Sequence, residues 1–259
     1  MNSAEKWDKN ADAFQKVFLG GENAYNSRLI AFLTELAELR QGDRVIDIGC
    51  GVGKYGRSLG ALGCDVTLAD ISPRMLEFAS GNMAELQSPW RTLLLDFEMA
   101  EAEKIGSYKL AMSTMCSAVH DLETVKKFSA ISYGYCFLSM FYDWRQPDRD
   151  AMFHEADLSP RSLHGDMKAD CEAMLGFVRA AGFQPDVRYE DYCWQDERSP
   201  AEEADYILNR YYEPEEQSQL LKARLTAAAE RLSHGGGFTD RVNAKAAWIY
   251  WRVYGQLVN

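Results

Sequence analysis

Val45-Ile-Asp47-Ile-Gly49-Cys50-Gly51-Val-Gly53 concentrates groups able to do chemistry: an apolar run carrying one carboxylate that breaks into alternating glycines. Glycines let a chain turn sharply and let a ligand approach the peptide groups without a Cβ in the way. Asp47, two places before the first glycine, would meet a cationic amine better than a pyrophosphate, because like charges repel at short range. Asp70 follows Gly51 by nineteen residues, a spacing at which a carboxylate can accept both hydroxyls of a ribose. Asp96-Phe97 adds one acceptor and one flat apolar face, suited to an amino-purine ring. The set describes a pocket for a nucleoside with an amino-acid-like tail. Counted from Gly49, a dinucleotide fingerprint G-x-G-x-x-G needs its third glycine at position 54, which is Lys54.

Alternating strand-like and helix-like text must position these groups. Arg28 to Leu39 carries apolar residues at helical spacing, and Gln41-Gly42-Asp43 ends that helix before the buried strand Arg44 to Ile48. After the glycine loop and a helix, strand Asp65 to Ala69 leads to Ser72-Pro73, where serine caps and proline opens a helix through Met75, Leu76 and Phe78. Strands follow at Thr92 to Leu95, Lys109 to Ser113, Tyr135 to Phe141, Asp186 to Trp194 and Ala246 to Val253, with helices at Asp121 to Ser129 and from Gly165 to about Ala181. Arg145 to His164 reads as irregular. Pro200 to Tyr212 and Glu215 to Leu232 read as two helices inserted before the last strand. The expected fold is α/β: a Rossmann-like, doubly wound, mainly parallel seven-stranded sheet with that helical insertion. Its parts are an N-terminal lid segment (1–27), a core (28–195), the insertion (196–244) and the last strand of the core (245–259).

A chain of 259 residues with 47% hydrophobic and 26% charged residues can bury a sizeable core without staples. Its formal charge of -11 repels phosphate backbones and anionic headgroups, so nucleic acid and membrane are not expected partners. The apolar runs are too short to span a bilayer, and Met1-Asn-Ser-Ala-Glu-Lys lacks an apolar signal core, which reads as a cytoplasmic protein. Six scattered cysteines show no CxxC spacing, so no iron–sulfur cluster, zinc ribbon or disulfide framework is expected. Cys50 reads as a small packing residue. A monomer and a homodimer both remain open.

Asp47-Ile-Gly49-Cys50-Gly51-Val-Gly53 followed by Asp70-Ile71-Ser-Pro-Arg-Met75 resembles the class I S-adenosylmethionine (SAM) dependent methyltransferases, from about residue 28 onward. The resemblance implies SAM as cofactor and S-adenosylhomocysteine as product. It places Asp47 near the methionine amine, Gly49 to Gly53 against the cofactor, Asp70 on the ribose diol, Ile71 and Met75 beside adenine, and Asp96 and Phe97 as the adenine-contacting pair. The family's fourth motif would fall at Ser113-Thr-Met-Cys116. That text is not the Asn/Asp-Pro-Pro-Tyr/Phe that clamps the amine of a base, so the implied acceptor is a small molecule with an oxygen, nitrogen or sulfur nucleophile.

Methyl transfer from a sulfonium is an in-line displacement with an already activated donor, so alignment and exclusion of water are the main tasks. His120 is the candidate base for an acceptor that must lose a proton. No metal-ligand spacing is present, and no Mg²⁺ is expected. Trp7, Phe14, Phe18 and Tyr25 could form a lid over the sulfonium end or pack permanently on the sheet. Cys116, Tyr142 and Trp144 would shape the acceptor pocket. Two alternatives stay open: a nicotinamide-dependent Rossmann oxidoreductase, and a non-catalytic SAM-binding protein.

Overall fold

The structure, a computed structural model, describes residues 3–19 and 24–253. The chain runs α1 (Ser3–Leu19), α2 (Ala24–Leu36), β1 (Arg44–Ile48), α3 (Lys54–Ala61), β2 (Asp65–Asp70), α4 (Pro73–Met83), β3 (Trp90–Leu94), α5 (Ala102–Ile105), β4 (Tyr108–Thr114) and α6 (Leu122–Ala130). It continues through β5 (Ser132–Arg145), α7 (Pro147–Glu155), α8 (Met167–Ala180), β6 (Asp186–Arg198), α9 (Pro200–Tyr211), α10 (Gln219–Leu232) and β7 (Phe238–Arg252). The seven strands form one sheet in the order β3-β2-β1-β4-β5-β7-β6, mostly parallel with one antiparallel pair. The expected doubly wound sheet with a helical insertion before the last strand is therefore the observed one. β1 is central, pairing in parallel with β2 and β4, and four of its five residues are buried. A strand covered on both faces reads as a continuous apolar run; Asp47 is the exception within it.

The chain divides into two compact units. The first comprises residues 1–140, 170–190 and 247–259; the second comprises 141–169 and 191–246. The second unit thus takes in the 141–169 stretch and residues 191–195 besides the inserted helices. The irregular segment expected at Arg145 to His164 contains a helix, α7, opened by Pro147 at its first turn. The last strand runs from Phe238 to Arg252, beginning eight residues before the expected Ala246, and positions 254–259 of the expected last part lie outside the described residues. Among the described residues no helix is long and apolar enough to cross a membrane.

The second unit has its own core, in which Met152 and Phe153 of α7 pack with Ala204, Ile207 and Leu208 of α9 and Leu225, Ala228 and Ala229 of α10. Beside this core lies a buried ionic cluster. Arg149 donates to Glu203, Asp240 and the Tyr211 hydroxyl, Arg198 donates to the other oxygen of Glu203 at 2.8 Å, and Gln146 donates to Asp240 at 3.1 Å.

Candidate functional site

β1 ends in a loop whose three glycines all have left-handed backbone, with φ of 72° at Gly49, 54° at Gly51 and 80° at Gly53. A side chain is disfavoured there by its own backbone. At Gly49 space forbids one as well, because a Cβ would run into the Cys116 thiol. The loop is held from below, since the amides of Gly49 and Cys50 both donate to the carbonyl of Ala69 at 2.8 and 3.0 Å. Gly53 is also the N-cap of α3, and no side chain caps that helix. Its first turn carries the positive end of the helix dipole.

Asp70, the last residue of β2, accepts from the Gly51 amide at 2.9 Å through one oxygen and from the Ser72 amide at 2.9 Å through the other. Burial raises its pKa against these amide bonds. A carboxylate has about four acceptor sites, so each oxygen keeps capacity for one further donor. Asp47 is different. It is wholly buried, and among the described residues neither of its oxygens has a hydrogen-bond partner. Burial, and then the charge of Asp70, lift its pKa to about 7. An uncompensated buried charge is costly, and the cost is removed either by a proton or by a cation.

Helix α1 lies against this loop and α4. Ala11 packs with Val52 and Met75, with Trp7, Phe18 and Phe78 at the margin. Asp8 of α1 accepts from the Ser72 hydroxyl at 2.5 Å and from the Arg74 amide at 3.2 Å, while Gln15 donates to Asn82 at 3.0 Å and Asn82 donates to the Val52 carbonyl at 2.9 Å. Of the four aromatics expected as a lid, Trp7 and Phe18 border the glycine loop. Phe14 meets Trp7 edge to face at 6.1 Å and is itself exposed. Tyr25 is a core residue. Its ring is buried against Trp248 at 5.7 Å, its hydroxyl shares a hydrogen bond with Ser139, and it accepts from the Trp248 indole. Asp8, Gln15 and Asn82 were not singled out from sequence, because polar residues on an amphipathic helix ordinarily face water.

Two further expectations meet a different packing. Phe97 offers no open face: it is buried edge-on to Phe128 at 6.1 Å, with the Lys127 ammonium over the ring. Asp96 is exposed and closes its own turn by accepting from the Glu98 amide at 3.1 Å. Ser113 spends its hydroxyl on the Ile48 carbonyl at 2.8 Å, tying β4 to β1. Cys116 follows Met115, a non-glycine residue with φ 49°. Its thiol accepts from the Ala118 amide, and burial pushes its pKa up to about 11. Burial raises the pKa of the Cys50 thiol as well. Both are neutral packing groups.

His120 stands just before the capping box that starts α6. Its Nδ1 lies 3.1 Å from the Ser117 carbonyl. Its Nε2 lies 3.9 Å from the Asp121 carboxylate. Tyr142 and Trp144 belong to the second unit.

Gly56, passed over in the sequence reading, is where a Cβ would strike Leu68, so it permits α3 to lie close on β2. Counted from Gly51, the glycines at 51, 53 and 56 complete G-x-G-x-x-G. Spacing therefore does not exclude a dinucleotide, and Lys54 is no obstacle to one. Asp47 carries that distinction alone, as a buried carboxylate behind the loop.

Residues 45–157 match the methyltransferase domain family. Two curated relatives share parts of it: a ubiquinone biosynthesis O-methyltransferase from Bordetella avium, 30% identical over 88 residues, and a mitochondrial one from Schizosaccharomyces pombe, 40% identical over 57 residues. These matches cover 34% and 21% of this chain, and 36% and 21% of the relatives' own lengths. Among solved structures, the 4+2 cyclase SpnF superposes with a TM-score of 0.53 at 17% identity, covering 94% of each chain. Phosphoethanolamine N-methyltransferase 2 from Haemonchus contortus, bound to S-adenosylhomocysteine, superposes at 0.52 with 18% identity, over 95% of this chain and 57% of that one. At such identities the likeness establishes the fold alone. The two neighbours' names carry different reactions, so the reaction has to be argued from the site.

Proposed function

We propose that the protein is a SAM-dependent methyltransferase that transfers a methyl group to an oxygen, nitrogen or sulfur nucleophile of a small molecule. The observation that carries this reading is Asp47, whose buried oxygens have no partner and whose neighbour is a second carboxylate. A ligand bearing a cation relieves that arrangement, and one bearing a pyrophosphate worsens it. The ammonium of the cofactor's amino-acid tail fits Asp47, and its carboxylate fits the uncapped start of α3. Asp70, held by the Gly51 and Ser72 amides, retains acceptor capacity for both ribose hydroxyls. Ile71 and Met75, the latter buried, flank that position. Phe97 and Asp96 are not assigned to adenine, because the ring face is already occupied.

SAM supplies the activated methyl group on a sulfonium. The chain's part is to orient it, exclude water through the α1 cover and align the acceptor. His120, whose Nε2 lies 3.9 Å from the Asp121 carboxylate, would take a proton from an acceptor that needs to lose one. The names of the curated relatives, ubiquinone biosynthesis O-methyltransferases, agree with a small acceptor.

The test is calorimetric binding of S-adenosylhomocysteine to the wild type and to Asp70→Ala, beside transfer of radiolabelled methyl from SAM to a metabolite mixture. Micromolar binding that is lost in the variant, together with label transfer, is the expected result. Undiminished binding in Asp70→Ala, or binding of NADH in place of S-adenosylhomocysteine, would contradict it.

A further inference from the structure

Left-handed glycines at 49, 51 and 53 turn the loop after β1, and glycine holds no single φ by itself, so the loop's shape is set by what grips it. On its β2 side, Gly49 and Cys50 donate to the Ala69 carbonyl and Gly51 donates to Asp70. On its α4 side, the carbonyl of Val52, which lies between Gly51 and Gly53, accepts from the Asn82 side chain at 2.9 Å. That same side chain is paired with α1. Its oxygen accepts from Gln15 at 3.0 Å, and its nitrogen donates to the Gln15 oxygen at 2.8 Å. A side-chain amide nitrogen has two protons, and both are used here, so Asn82 keeps no donor for a ligand and instead joins α1 to the loop.

Asp8, Ala11 and Gln15 recur on one face of α1, at i, i+3 and i+7. Asp8 accepts from the Ser72 hydroxyl, and the Ser72 amide donates to Asp70. Ala11 is buried against Val52 and Met75. One stripe of α1 therefore grips both the turn that carries Asp70 and the loop that carries Gly51 and Gly53. A ligand seated on those two segments binds the arrangement that a docked α1 stabilises, and by linkage it favours docking by the same factor.

We propose that Gln15 and Asn82 are positioning residues, through which the docking of α1 fixes the Val52 peptide and is thereby coupled to ligand binding at the glycine loop. That the ligand is SAM or S-adenosylhomocysteine rests on the methyltransferase reading above; the coupling of α1 to the loop does not.

Gln15→Leu removes the α1 half of the pair without touching the loop, and Asn82→Leu removes the connection itself. Hydrogen exchange of the full chain, resolved by mass spectrometry and read first without ligand, should show residues 49–54 exchanging roughly tenfold faster in Gln15→Leu than in the wild type, with β4 unchanged as a check on folding. Calorimetric affinity for S-adenosylhomocysteine should fall roughly tenfold in each variant, and no further in the double variant, because both act through one connection. Saturating S-adenosylhomocysteine should slow exchange in α1 of the wild type and leave α1 of Asn82→Leu unaffected, which a purely structural role would not produce. Loop exchange unchanged in Gln15→Leu, undiminished affinity in either variant, losses that add in the double variant, or equal protection of α1 in wild type and Asn82→Leu would overturn the inference. Faster loop exchange in Gln15→Leu in a wild-type background that binds no S-adenosylhomocysteine would uphold the coupling and count against the methyltransferase reading.

Discussion

Two buried carboxylates, one in each unit, have opposite surroundings. Asp240 sits with Arg149 and Gln146 on one oxygen, and Glu203 beside it is held by two arginines. Asp47 has no partner on either oxygen, and the nearby charge that acts on it is another carboxylate. Burial raises the pKa of both, to about 6 for Asp240 and about 7 for Asp47. For Asp240 the Arg149 charge opposes the rise; for Asp47 nothing does. A buried acid with its counter-charge in the same chain belongs to the fold, tying α7, α9 and β7 together. A buried acid without one keeps its proton or takes a cation from outside.

The largest expected effect comes from removing the counter-charge in the second unit. Arg149→Met leaves Asp240 and Glu203 buried with one cation fewer, and should cost roughly 3–5 kcal/mol in denaturant unfolding. A loss below about 1 kcal/mol would erase the contrast, since the cluster would then be dispensable like Asp47.

In the first unit the opposite sign is expected. The folded pKa of Asp47 is raised, so its contribution to stability is fully present below the ordinary value of 3.8 and is lost as pH climbs toward about 7. Asp47→Asn escapes that loss. Without ligand, the variant should gain on the wild type between pH 4 and pH 7, by up to about 4 kcal/mol for a shift of this size. Melting curves across that range would show the gap widening; a constant gap, or a variant that falls behind, contradicts an unpartnered Asp47.

At the small end, Asp12 pairs with Arg74 at 3.2 Å on an exposed surface between α1 and α4. Asp12→Ala should change stability by no more than about 0.5 kcal/mol. A much larger loss in urea unfolding would mean that surface charges, beside the apolar Ala11 contact, hold the α1 cover in place.

The glycine loop and its acids were legible because their chemistry depends on residue type and short spacing: strand, turn and helix follow each other within Val45 to Gly56, and Ser72-Pro73 caps α4 as read. The buried faces were not. Phe97 reads as an open ring beside Asp96, and only the fold brings Phe128 and Lys127 onto it. Tyr25 reads as a lid aromatic until Ser139 and Trp248, distant in sequence, take its hydroxyl. Helix α7 was hidden because its buried side is Arg149, Met152 and Phe153, too few apolar residues at helical spacing to register. The fingerprint at Gly51, Gly53 and Gly56 stands in the sequence, two residues after the first glycine of the loop. That Asp47 lacks a partner is a property of everything around it, and no local spacing encodes it.

The most direct measurement is S-adenosylhomocysteine affinity against pH for the wild type and Asp47→Asn. An ammonium ligand requires the ionised carboxylate, so the wild-type dissociation constant should rise about tenfold per unit as pH falls below about 7, with proton release on binding. In Asp47→Asn the affinity should be weaker at pH 8 and flat with pH. Equal affinities, or identical pH profiles, would contradict the assignment of Asp47 to a cationic ligand and with it the proposed cofactor site.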